Sequence, residues 1–148
     1  MGCDIHMYPE VKKGDKWEFV YKYKPDDFWK EDDCPKDRAN YYAWEDRYYY
    51  LFAILADVRN AWDLKPIAEQ RGLPIDVSDG TAKEWEDDGD GHSHSWLSLK
   101  ELLDFDWKKA FSETKSPFDN EATVLKWIEK LKELGDPENV RVVFWFDN

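Results

Sequence analysis

No run of about 18 apolar residues occurs in the chain, so no membrane-spanning helix is expected. Cysteine is nearly absent: Cys3 and Cys34 are the two among 148 residues. Two thiols are too few for a disulfide framework or a cysteine-rich zinc site. They point to reduced thiols in a cytoplasmic setting, with a Cys3–Cys34 bridge as the less favoured alternative. The opening Met1-Gly2-Cys3-Asp4-Ile5-His6 lacks the basic and apolar regions of a signal peptide. It also carries His6 where N-myristoylation wants Ser or Thr. Positive charge is short as well: 21 Lys and Arg against 33 Asp and Glu give a net charge of -12. Such a chain repels a nucleic-acid polymer or an anionic membrane surface. A small phosphorylated ligand, held by a few local cations or a metal, stays allowed.

Aromatic rings, by contrast, are abundant. Nine Trp, eight Tyr and eight Phe are enough to fill a core and also to line a ligand pocket. The length fits one domain, residues 1–148. Residues 2–8 alternate Cys3, Ile5 and Met7 with Asp4, His6 and Tyr8, the two-residue period of a strand. Gly14-Asp15 signals a turn, and residues 16–23 read as the second arm of an antiparallel hairpin. Residues 24–40, with Pro25, Pro35 and many charges, read as a surface excursion. Residues 48–59 are apolar enough for a buried helix. Residues 60–91 lack strong periodicity and read as one long loop.

Ser98-Leu99-Lys100-Glu101 fits a capping box at the start of a helix. Asp119 or Asn120 is expected to cap a longer helix whose apolar face is Val124, Leu125, Ile128, Leu131 and Leu134, with Gly135 ending it. Residues 139–147 form an apolar last strand. The expected fold is α+β, with helices packed on a mostly antiparallel sheet.

All three histidines sit in two short motifs, Asp4-x-His6 and His92-x-His94. Residues two apart in an extended segment point the same way. Each motif therefore offers two ligand-type side chains side by side. Asp4, His6, His92 and His94 together would suit a divalent metal such as zinc, manganese or iron. Asp88 and Asp90 could add oxygen ligands. The same imidazoles could instead act without a metal, as general acid and base on a phosphodiester. Equally, Asp4 could satisfy a backbone amide and His6 could be an ordinary hydrogen-bonded residue. Arg59, Asn60 and Arg71 are candidate phosphate contacts, though both arginines could simply pair with the abundant acids. Tyr8, Trp85 and Trp96 could stack on a base, or fill the core.

These residues fall in blocks that resemble a family of small bacteriophage proteins. The blocks are Met-Gly-Cys-Asp-Ile-His at the start, Leu51-Phe52-Ala53-Ile54-Leu55-Ala56-Asp57-Val58-Arg59-Asn60, Arg71-Gly72-Leu73-Pro74-Ile75-Asp76-Val77-Ser78, and Asp90-Gly91-His92-Ser93-His94-Ser95-Trp96-Leu97. Leu99, Glu101, Leu102 and Leu103, then Asp106-Trp107, follow the last block. The likeness runs in order over residues 1–107 and does not extend beyond them. One departure is Arg47-Tyr48-Tyr49-Tyr50, where the family is associated with Arg-Asn-Tyr-Asp, so no acid or amide role carries over there.

The resemblance implies a phage origin and an intracellular setting, and brings no settled activity. By analogy, several small phage families of this size bind or cut cyclic nucleotide signals of host defence. Three readings follow. The first is a metal-dependent phosphodiesterase acting on a small nucleotide, with His92, His94, Arg59 and Arg71 in catalysis. The second is a protein that sequesters such a nucleotide intact, with a pocket shared between protomers of a homo-oligomer expected. The third is an acidic module that docks on a basic protein.

Overall fold

The amino-terminal alternation becomes a strand, β1 (Asp4–Lys13), which turns at Gly14 into β2 (Lys16–Phe19). A computed structural model describes residues 2–20, 41–113 and 120–148. After β2 come α1 (Tyr49–Ala56), α2 (Asp79–Asp87), β3 (His92–Ser98), α3 (Leu99–Asp104), α4 (Trp107–Ser112) and α5 (Glu121–Leu131). Two short 3-10 turns then lead into β4 (Val140–Asp147). The sheet order is β2-β1-β4-β3, and every pairing is antiparallel. The fold is therefore α+β, as the sequence led us to expect. Among the described residues no helix is long and apolar enough to cross a membrane.

Several boundaries differ from the expectation. β1 does not stop at Tyr8 but continues through Pro9. The Pro9 carbonyl accepts from the Val20 amide at 3.1 Å. The backbone N and O of one residue point the same way in a strand, so the missing proline N–H faces the end of β2, where no further ladder bond is needed. Within residues 60–91, read as loop, Asp79–Asp87 is helical. Its start is set by Ser78, whose side chain accepts from the Thr81 amide at 3.2 Å. Residues 92–98 form a strand that the polar composition had hidden. The excursion at 24–40, the far end of the second strand at 21–23, Cys34 and Asp119 lie outside the described residues. Asn120 occupies the cap position of α5, but its side chain makes no capping bond.

The sheet buries both faces. On one, Ile5, Met7, Leu97, Val142, Phe144 and Phe146 pack with α1, α3, α4 and α5 into the main core. α1 has no polar side to show: Tyr50 through Ala56 are all buried, and the helix ends at Asp57, whose φ of 58° is left-handed. On the other face Tyr8, Val143 and Trp145 form a smaller cluster with Phe19, Leu73 and Trp96. Over that face lie α2 and the segment leading to it. Gly80 packs so closely on Phe19 that a Cβ there would overlap the ring.

The capping box of α3 is complete. Ser98 Oγ accepts from the Glu101 amide at 3.1 Å, and Glu101 Oε1 accepts from the Ser98 amide at 3.0 Å. Replacing Ser98 with Ala should cost about 1 kcal/mol, read as a lower urea midpoint with an unchanged slope.

Candidate metal centre

His6 lies on the smaller-cluster face of β1, opposite Trp145 of β4. Asp147, two residues further along β4, is its diagonal neighbour on the same face. His6 Nε2 and Asp147 Oδ2 are 2.5 Å apart. Asp88 reaches the same place from the C-terminal end of α2, with Oδ2 at 3.7 Å from His6 Nε2. The Trp145 indole donates to that same Asp88 oxygen at 2.7 Å. An indole N–H can only donate, so this bond orients the carboxylate.

One ligand atom from each of His6, Asp88 and Asp147 lies within 4.8 Å of the others. The side chains keep 34%, 22% and 28% of their surface exposed, so the cluster is open on one side. One imidazole nitrogen with two carboxylate oxygens is a mixed donor set that suits manganese, zinc or ferrous iron. Three protein ligands leave coordination positions for water and a substrate.

The expected four-residue set of Asp4, His6, His92 and His94 is brought together only in part. Of these, His6 alone belongs to the cluster. Asp4 turns to Arg47 instead, with Asp4 Oδ1 accepting from Nε and Nη2 at 3.0 and 2.9 Å. The two histidines of β3 are split by an irregularity. His92 pairs with Phe146 and Ser95 with Phe144, so three residues of β3 span two of β4. Ser93 takes up the extra residue with φ at 58°. This bulge cancels the two-residue period. His92 consequently lies beside the Phe146 ring, at 6.4 Å, on the main-core side. His94 lies beside Trp145, at 5.5 Å, on the other.

His94 is already engaged. Its Nε2 accepts from the Trp85 indole at 2.5 Å, which requires a neutral ring with the proton on Nδ1. Burial pushes its pKa down, the Asp88 charge pulls it up, and His92 pushes it down further. The folded state thus resists protonating His94, while the unfolded chain protonates it near its ordinary 6.5. Native stability should fall as pH drops below that value. We expect His94→Gln to lose part of the stability difference between about pH 7.5 and pH 5.5. Urea midpoints of both proteins at the two pH values measure it.

The remaining candidates are placed as follows. Arg59, with φ at 53°, sets its guanidinium 5.6 Å from the Tyr49 ring centroid. It hydrogen-bonds the buried Cys3 thiol, whose pKa burial raises and Arg59 draws back down. Asp147 and Asp4 act on the same thiol, which puts Arg59 at the cluster's end of the sheet. Asn60 closes its own loop, donating to Asp57 and to the Leu64 carbonyl at 2.7 Å each. Arg71 is held bidentately by Glu101 at 2.8 and 2.6 Å, with its guanidinium over Trp96 at 4.5 Å. Tyr8 is buried against Trp145 at 4.9 Å, and burial pushes its phenol pKa well up. Asn60, Arg71, Tyr8 and Trp96 are therefore tied into the scaffold. Trp85 keeps 41% of its surface exposed and stands three residues before Asp88.

Asp147 is the candidate ligand that reading the sequence missed. It lies 141 residues from His6, and only the β1–β4 register reveals the pairing. Compared with family models, with curated proteins and with solved structures, the chain matches none.

Proposed function

We propose that this protein is a divalent-metal-dependent hydrolase acting on a phosphoester of a small nucleotide. The observation that carries this reading is the convergence of His6, Asp88 and Asp147 on one point, with one side open. His6, Asp88 and Asp147 would hold a divalent ion there, which would polarise a phosphoryl oxygen and lower the pKa of a bound water. To hold an ion, His6 would present Nε2 as a lone pair beside the Asp147 carboxylate. Trp145 holds Asp88 in place for this. Exposed Trp85 is the ring nearest in sequence to the cluster on which a base can stack. A net charge of -12 favours a small substrate with few phosphates over a polymer.

The test uses protein purified without a histidine tag. Metal analysis and calorimetric titration with Mn²⁺ and Zn²⁺ should give one ion per chain. Incubation with a panel of cyclic and linear dinucleotides should give cleavage that a chelator stops. A protein that takes up no ion and returns every nucleotide intact would overturn the proposal. Nucleotide retained on the protein and released whole by heating would assign it to sequestration instead.

A further inference from the structure

We propose a second reactive centre at the bulge of β3, in which Ser93 is a nucleophile activated by His92 and oriented by Asn148, with small carboxylic esters as its substrates. Ser93 holds a left-handed backbone, φ 58°, that residues other than glycine adopt seldom and at a cost. Bulges that re-aim one side chain recur next to reactive sites. Ser93 Oγ lies 2.9 Å from His92 Nδ1, and His92 Nε2 lies 3.2 Å from Asn148 Oδ1. An amide oxygen only accepts, so Nε2 carries the ring proton. Nδ1 is then a lone pair aimed at the Ser93 hydroxyl. Ser93 donates to His92, and His92 donates to Asn148. This is the nucleophile, base and orienting group of a hydrolytic triad, with the two ring nitrogens exchanged.

His92 is on the opposite side of the sheet from His6, so this centre stands independently of the metal cluster. In the reaction, Oγ bonds to the ester carbonyl carbon as its proton passes to Nδ1. The C–O bond to the alcohol then breaks, and the Nδ1 proton leaves with the alkoxide as alcohol. Water, deprotonated by Nδ1, attacks the acyl-serine and releases the acid, and Oγ recovers its proton.

The probe is p-nitrophenyl acetate with the full chain in excess chelator. Release of p-nitrophenolate and peptide mass mapping are the readouts. We expect one acetyl group on Ser93, formed about a hundredfold more slowly in His92→Gln. Asn148→Leu should slow it less. Ser93→Gly, which relieves the left-handed strain and so folds, should remove the adduct. Acetyl groups confined to lysines, or acetylation of Ser93 at the same rate in His92→Gln, would overturn the proposal. Insensitivity to the chelator is expected, whatever the metal titrations give.

Discussion

Replacing Glu10 with Ala is expected to destabilise the protein by about 3–5 kcal/mol. Glu10 is fully buried, and Arg141, its partner, is 3% exposed. Arg141 Nε donates to Glu10 Oε1 at 2.8 Å, and the two charges pair with Nη2 2.7 Å from the same oxygen. The other carboxylate oxygen accepts from the Ser78 amide at 2.8 Å. Removing the carboxylate leaves a guanidinium buried under the Trp17 ring, 4.0 Å away, and orphans the Ser78 amide. Asp76 also binds Arg141, but its side chain is 63% exposed, so water screens it and it cannot replace Glu10. The pair as a whole need not stabilise the fold, because burying two charges offsets much of their attraction. A double-mutant cycle separates the two statements. Glu10→Met and Arg141→Met alone should each lower the denaturant midpoint strongly, and the double variant should lose far less than their sum. Additive losses, or a single variant as stable as the parent, would contradict this. The interaction joins β1, β4 and the segment entering α2, and so holds the helix that ends at Asp88.

That network also marks how far the sequence could be read. Period-two alternation in residues 2–8, the apolar run in 48–59 and the Ser98–Glu101 box are local signals, and each became the element it implied. The α5 helix formed too, but its buried face is Val124, Trp127, Ile128 and Leu131, with Leu125 exposed and Leu134 in the 3-10 turn beyond its end. α2 has no such signal: Thr81 is its one buried residue, and glycine and proline surround it. β3 was hidden because His92 to Ser98 is mostly polar, and half its ladder is interrupted by the bulge. His6 was legible as a ligand, and Asp88 as an added oxygen donor. Pairing His92 with His94 failed because the two-residue rule holds only in a regular strand. Arg71 was offered to a phosphate although Glu101, already assigned to the capping box, takes it. Local chemistry was readable, but which distant acid met which base depended on register.

Register likewise decides which substitutions should abolish metal binding. His6→Ala and Asp147→Asn each remove one of three donors, and we expect the Mn²⁺ affinity to fall by more than about a hundredfold, taking hydrolysis with it. Asp88→Asn should do the same. Trp145→Phe keeps every ligand but frees the Asp88 carboxylate from its indole donor, and should cost about 10- to 100-fold. His94→Gln and Asp4→Asn should change affinity by no more than a few-fold, since Trp85 and Arg47 occupy these side chains. The expected loss in His6→Ala is not one of folding. His6 keeps 34% of its side chain exposed and contributes no apolar surface to the main core. Its urea midpoint should therefore stay near the parent's while calorimetric titration loses its signal. A titration abolished by Asp4→Asn would restore Asp4 to the ligand set, and one unchanged in His6→Ala would remove His6 from it. The diagonal pairing of β1 with β4 would then have no part in holding an ion.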